Sequence, residues 1–329
     1  MQGAIFLNYA IVCAEGIGDA LLMMIVAHHL HLQSHQVTLF HKSPNLIQPL
    51  FPWAQILPYP EENDYTKALQ PFDHVIVQND HSQRAFILHE LRTSNRLSSC
   101  IFFLITPSKL HRSFDFLFDP CLSLVENILK ALTTCLSIKN PSPHNGISIP
   151  LPKTNTRNRA RVILHPTSSD PKRNWRKDQF LHLAKLLKKQ GFQPLFVMTA
   201  QEKKTWISTG LEDIPIICND NLIDCAHLLV NSGFFIGNDS GIGHLASNLG
   251  IPTLTISGNP KRVKRWRPSF TIGEIVTLPC DLPNFKGLVF RYFDGRFRDK
   301  YWHYFLPVGK VLKRFNHLVE TTYNQKDLS

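Results

Sequence analysis

The chain has 329 residues, 43% hydrophobic and 19% charged. That length suggests two domains, and the balance excludes wholesale disorder, while 16 Gly and 22 Pro without a period exclude collagen-like and low-complexity classes. The formal net charge is +11, carried entirely by the second half: residues 1–155 hold 10 Lys+Arg against 11 Asp+Glu, residues 156–329 hold 26 against 14. Such a half suits an anionic partner, whether nucleic acid, membrane surface or phosphate-bearing ligand.

The N-terminal stretch Ala4–Cys13 reads as a buried strand rather than a leader peptide, since no Lys or Arg precedes it and Asn8 and Tyr9 interrupt it. Glu15-Gly16-Ile17-Gly18-Asp19 reads as a turn and Ala20–Leu32 as a helix. Ala20–Ala27 is the longest apolar run, far short of the about 20 residues a membrane span needs. Gln36–Phe40, His74–Gln78 and Ile101–Ile105 are further apolar runs alternating with helical stretches, the signature of parallel βαβ units. Residues 140–159, rich in Pro, Ser, Asn and Thr, read as a linker.

The alternation then restarts. Val162–His165, Gln193–Met198, Ile214–Ile217, Phe234–Gly237 and Thr253–Ile256 are expected strands. Lys177–Gln190, Leu222–Val230, Ile242–Leu249 and Leu306–Val319 are expected helices, the first and third closed by Gly191 and Gly250. The expected architecture is α/β: two Rossmann-like doubly wound domains, 1–150 and 151–329, facing a cleft, with ligands beyond the carboxyl ends of the strands. Seven scattered Cys without a CxxC argue against a disulfide framework or zinc ribbon and for a reducing cytoplasm.

The densest chemistry lies in Phe234–Pro260. Asp239, Ser240, Gly241, Gly243 and His244 fall within six residues where a strand gives way to a helix. The glycines allow a ligand to approach backbone N–H groups, the helix N-terminus favours a phosphate, Ser240 offers a hydroxyl, and His244 offers a donor that can become cationic. Without a ligand the same segment is simply a tight turn. His165–Trp175 sets hydroxyls (Thr167, Ser168) and two cations (Lys172, Arg173) after another strand, suited to a diphosphate or to a solvated basic loop. Glu202 could accept from ribose hydroxyls or serve the helix dipole. Asp19 could be a general base or a helix N-cap.

The strand followed by GNDSGIGHLASNLGIPT resembles the signature of glycosyltransferase family nine, the ADP-heptose:lipopolysaccharide heptosyltransferases. Gly16–Leu22, Val162–Ser168 with Lys172–Trp175, and Asp220–Leu229 fall in the family's order. The resemblance implies a GT-B fold and an inverting glycosyltransferase that uses neither cofactor nor metal. Its donor would be ADP-heptose or a related sugar nucleotide, and its acceptor a lipopolysaccharide core. It implies Asp19 as catalytic base, and Thr167, Ser168, Lys172, Glu202, Asp239, Ser240, Gly241, Gly243 and His244 at the donor. It also implies a cytoplasmic enzyme, peripheral on the inner face of the inner membrane, with no nucleic-acid partner. Three features depart from the family: Ala14-Glu15 where a basic residue is usual, Met23-Met24-Ile25 where Pro is usual, and Ser257-Gly258-Asn259-Pro260 for Gly-Pro-Thr. The residues by themselves leave open a sugar-nucleotide epimerase on the same fold, a basic nucleic-acid-binding protein and a binding protein without activity.

Two other features stand apart. His28, His31 and His35 share a helix face but have no carboxylate or Cys beside them, so a solvated face is expected rather than a metal site. Residues 285–305 hold nine aromatics among 21, interleaved with Lys and Arg, and together with Lys261–Arg267 suit a membrane interface, stacked RNA or a core with snorkelling cations.

Overall fold

The computed structural model describes residues 6–80, 82–106, 111–149, 157–206, 214–278 and 301–326. The chain divides into two compact units, Met1–Ile149 and Pro150–Ser329.

In the first unit, β1 (Asn8–Val12), β2 (Gln36–Phe40), β3 (Gln55–Leu57), β4 (His74–Gln78) and β5 (Cys100–Phe103) form a parallel sheet in the order β3-β2-β1-β4-β5. Every ladder between them is parallel, with Ile11 opposite both Leu39 and Ile76. Helices α1 (Ile17–Leu32), α2 (Pro44–Ile47), α3 (Tyr65–Leu69), α4 (Gln83–Thr93) and α5 (Leu124–Leu136) connect or follow the strands. Near-continuous burial of β1 and β4 follows from helices covering both faces of a parallel sheet. Ser123 and Glu126 close a reciprocal capping box that starts α5.

The second unit repeats the plan with one strand more. β6 (Asn158–His165), β7 (Gln193–Met198), β8 (Ile216–Cys218), β9 (Ser232–Asn238), β10 (Thr253–Ile256) and β11 (Gly273–Val276) take the order β11-β10-β9-β6-β7-β8, again all parallel. Helices α6 (Lys177–Lys189), α7 (Ala200–Trp206), α8 (Leu222–Val230), α9 (Gly241–Asn248) and α10 (Pro260–Trp266) lie between strands, and the last helix spans Val308–Lys326. Trp175, Phe180, Phe196, Phe234, Trp302 and Phe315 build its core.

Three sequence expectations change. The first helix begins at Ile17, because the chain turns at Gly16 and Ile17-Gly18-Asp19 is already its first turn; Asp19 is therefore not an N-cap. Asn158 and Arg159, expected in the linker, already belong to β6, and 142–148 is held in place: Asn145 donates to the Leu21 carbonyl at 2.9 Å and the Ser148 N–H to the Leu50 carbonyl. That segment and Trp53 pack against the histidines of α1, with His28 and His144 rings 4.9 Å apart and His31 stacked on Trp53 at 4.8 Å, while His31 stays exposed and His28 and His35 are half-buried, as a solvated face requires. The short edge strands β3 and β11 were not anticipated. Of the aromatic stretch, 285–300 lies outside the described residues. In its described end, Trp302 is core while Tyr304 and Phe305 are exposed.

Among the described residues, no helix is long and apolar enough to cross a membrane.

Candidate active site

In each sheet the strand order reverses beside its first strand, between β1 and β4 and between β6 and β9. At such a point the loops leaving two neighbouring strands part to opposite faces, and ligands bind there. His165 pairs with Gly237 at the carboxyl ends of β6 and β9, so the loop 166–175 and the turn Asp239-Ser240 emerge side by side.

Asn238 joins the two. Its side-chain oxygen accepts the Trp175 N–H at 2.9 Å and its nitrogen donates to the Pro166 carbonyl at 2.6 Å, so one amide clasps both ends of the loop. Arg173 adds a second tie, with Nη1 3.7 Å from Asp239 Oδ2 and Nη2 donating to Ser169 at 2.8 Å. Trp302 adds a third: its indole N–H donates to the Lys172 carbonyl at 3.2 Å. A Cβ at Gly258 would come within 2.2 Å of that indole, which is why the chain carries glycine there.

Within this frame the singled-out residues divide. Lys172 is exposed, on a short turn of 3-10 helix begun by Asp170, whose carboxylate accepts the Lys172 N–H. Ser168 is committed to the loop itself, within hydrogen-bond distance of the Asp170 carbonyl and Asn174 Oδ1. Thr167 is buried against His165 and hydrogen-bonds Glu202. Glu202 closes a capping box on α7: its carboxylate accepts the Thr199 N–H at 2.7 Å, and Thr199 Oγ1 accepts the Glu202 N–H at 3.2 Å. Burial pushes the Glu202 carboxyl up, but the Thr167 and Thr199 hydrogen bonds and nearby His165 outweigh it and hold the pKa below the ordinary value. Ser240 caps α9 by accepting the Gly243 N–H. Gly241 opens that helix, and Gly243 packs so closely that a Cβ would meet the Phe235 ring at 3.3 Å.

His244 is buried in the first turn of α9. Burial pushes its pKa below the ordinary value, while Asp239 and a hydrogen bond to the Trp266 backbone only partly oppose this. Its Nδ1 has no hydrogen-bond partner among the described residues. His165 is lowered by burial too, and its Nδ1–H donates to the Val197 carbonyl at 2.9 Å.

In the first unit, Asp19 is half-buried in the first turn of α1, where Gln78 Nε2 donates to its Oδ1 at 2.8 Å. Arg84, 7% exposed, stacks on Tyr59 and bonds Asp80 at 2.7 Å, with Glu15 at 3.8 Å. Lys42 bonds Glu15 at 2.8 Å. Sequence reasoning passed over Gln78, Asn238 and Trp302. The signal for the first two was present: a lone amide ends an otherwise apolar strand, HVIVQ and FFIGN.

Residues 69–282 match the model of glycosyltransferase family 9 (heptosyltransferase). The chain belongs to this family. It is a glycosyltransferase of GT-B fold. Its structure is similar to a family 9 glycosyl transferase from Veillonella parvula DSM 2008, with TM-score 0.68 and 14% identity over 96% of this chain and 98% of that one. It is also similar to E. coli ADP-heptose lps heptosyltransferase II, with TM-score 0.66 and 13% identity over 96% and 99%. E. coli heptosyltransferase WaaC with ADP follows at 0.62 and 14%, over 88% and 99%. No curated protein gives a significant match. Among the readings the sequence left open, family membership selects glycosyl transfer.

Two outcomes follow. Asn238→Ala strands a buried N–H and a buried carbonyl, so it should cost roughly 2–4 kcal/mol in denaturant unfolding, against about 1 kcal/mol if the clasp were dispensable. The rings of His165 and His244 bind fewer protons folded than unfolded, so stability is greatest above the ordinary His pKa and falls as pH drops through it. Melting temperature should fall between about pH 7.5 and about pH 5.5, before carboxylates titrate, and His244→Gln should flatten the fall. A level profile would contradict the burial argument.

Proposed function

We propose that this glycosyltransferase moves a heptose from ADP-heptose to the inner core of lipopolysaccharide, with inversion at the anomeric carbon, at the cytoplasmic face of the inner membrane. Residues 151–329 bind the donor and residues 1–150 the acceptor. The observation that carries the reading is the convergence at one sheet edge, in a chain of the heptosyltransferase family, of an exposed lysine, a capped helix N-terminus and a fixed carboxylate. The basic second half supports attraction to an anionic bilayer.

The donor's diphosphate is held by the Lys172 ammonium and the first backbone N–H groups of α9, whose N-terminus carries a partial charge of about +0.5. Ser240 uses an oxygen lone pair on Gly243, so its own O–H is there to donate to a phosphate oxygen. Glu202 accepts from the ribose hydroxyls with the lone pairs that Thr167 and Thr199 leave, and the Asp239 carboxylate, braced by Arg173, fixes the turn beside the sugar. His244 borders the site as a hydrogen-bonding ring. Thr167 and Ser168 shape the loop that presents Lys172.

In the chemical step the acceptor oxygen forms a bond to the anomeric carbon while the bond from that carbon to the diphosphate oxygen breaks and ADP leaves with the electron pair. The acceptor proton passes to the Asp19 carboxylate. A sugar hydroxyl is a poor nucleophile at neutral pH, and a base in hydrogen-bond reach contributes typically ~10²–10⁴-fold.

With ADP-heptose and inner-core lipopolysaccharide, ADP should appear only when both are present. Asp19→Asn keeps an oxygen for Gln78 but cannot take a proton, so it should lower kcat by ~10²–10⁴ with little change in donor affinity or melting temperature; normal turnover would exclude the base role. Lys172→Ala should weaken ADP binding by roughly 10–100-fold, and an unchanged titration would remove Lys172 from the donor site.

A further inference from the structure

The two units share a device. Gln78 is the last residue of β4 and Asn238 the last of β9. Each strand lies beside the first strand of its own sheet, across the point where strand order reverses. Both side chains are buried, 2% and 1% exposed, and each uses its amide on its unit's first loop after a strand. Asn238 clasps backbone at both ends. Gln78 clasps backbone at one end and a carboxylate at the other: its oxygen accepts the Ala14 N–H at 3.0 Å, and its nitrogen donates to Asp19 Oδ1 at 2.8 Å.

The orientation of this amide is not ambiguous. The Ala14 N–H can only donate, so the group facing it is the amide oxygen. The group facing Asp19 is then the NH₂, which can only donate. An ionised carboxylate satisfies it, whereas a proton on Oδ1 would confront it with a second donor. The other oxygen lies over the exposed Gly16: a Cβ there would come within 2.5 Å of Asp19 Oδ2, so glycine leaves that oxygen its place.

We infer that Gln78 is a positioning residue for Asp19, its buried amide holding the carboxylate ionised and turned with Oδ1 inward and Oδ2 over the exposed Gly16. The inference rests on the reading of Asp19 as the base that takes the acceptor's proton. Gln78 does not reach the reacting atoms; it acts through the carboxylate. Among the described residues, the titratable and charged groups on the surrounding elements include Cys13 after β1, Glu15 in the loop, His41 and Lys42 after β2, Tyr59 after β3, Asp80 after β4 and Arg84 on α4. None is altered in the variants below, so a change in Asp19 titration reports on Gln78.

The test follows the Asp19 carboxyl carbon directly, by 13C NMR of protein labelled at aspartate side chains, with the Asp19 resonance assigned by its loss in Asp19→Asn. Gln78→Glu keeps an oxygen for Ala14 but sets a second carboxyl against the first. The two must share a proton, and the Asp19 pKa should rise by about one unit or more. Gln78→Met keeps the length and loses the donor, and should raise it by about one to two units. In turnover with ADP-heptose and inner-core lipopolysaccharide, Gln78→Glu should lose roughly tenfold or more near neutral pH, with donor KM unchanged and activity recovered as pH rises. Unchanged Asp19 titration in both variants overturns the inference, even if melting temperature falls, because a merely structural role lowers stability without moving that resonance. If Gln78→Met does not fold, Gln78→Glu decides alone. The two readings fail separately. Normal turnover in Asp19→Asn with a shifted Asp19 pKa in the Gln78 variants removes the base and keeps the positioning role. An inactive Asp19→Asn with an unshifted pKa does the reverse.

Discussion

Asn238 accepts the Trp175 N–H and donates to the Pro166 carbonyl at the place where the strand order of the second sheet reverses. A parallel sheet sends all its strand ends to one edge, but the loops there have no ladder to hold them. Eight residues separate Pro166 from Trp175, and the segment between them carries Lys172. Without the clasp those residues would be a surface loop; with it, the indole of Trp302 on the Lys172 carbonyl and Arg173 on Asp239, they form a fixed frame. At its centre both polar atoms of the buried Asn238 amide are satisfied, which is the form in which such groups rigidify rather than destabilise.

The same frame explains how the polar residues share their tasks. Thr167, Ser168 and Arg173 look alike in sequence as ligand groups, yet each has a partner inside the protein. Glu202 is half committed, through its capping box with Thr199. Lys172 projects from the frame, exposed, and α9 presents the backbone of its first turn beside it. In the proposed donor site an anion would meet one exposed cation and a fixed set of dipoles, beside the His244 ring, whose pKa burial pushes below the ordinary value.

Much of this was legible in the sequence. β2, β4, β7, β10 and α8 run between the residues expected, because each is an apolar run bounded by polar or turn residues. The start of α1 was not, because two glycines around Ile17 imitate a loop while the helix takes Gly16 as its N-cap. β3 and β11 are short edge strands; β3 buries only Ile56, too little to make a pattern. The segment 142–148 has a linker's composition, and its attachment through Asn145 to the Leu21 carbonyl is a tertiary contact that no local pattern announces. The site residues stood out by type and spacing. Their bonding did not, since whether Ser168 or Lys172 faces outward depends on Asn174, Asp170 and Trp302, one of them 130 residues away. Asn238 and Gln78 were visible only as polar ends of apolar strands, and their role needs the strand order.

The account assigns the second unit one donor chemistry, and ligand-induced thermal stabilisation across a panel of sugar nucleotides tests it most directly, since a ligand that binds only the folded state raises stability by RT ln(1 + [L]/Kd). ADP-heptose should raise the melting temperature most, ADP should follow, and UDP- and GDP-sugars at equal concentration should do little, with the ADP-heptose shift largely lost in Lys172→Ala. Preferential stabilisation by a UDP- or GDP-sugar, or an ADP-heptose shift indifferent to Lys172, would contradict it.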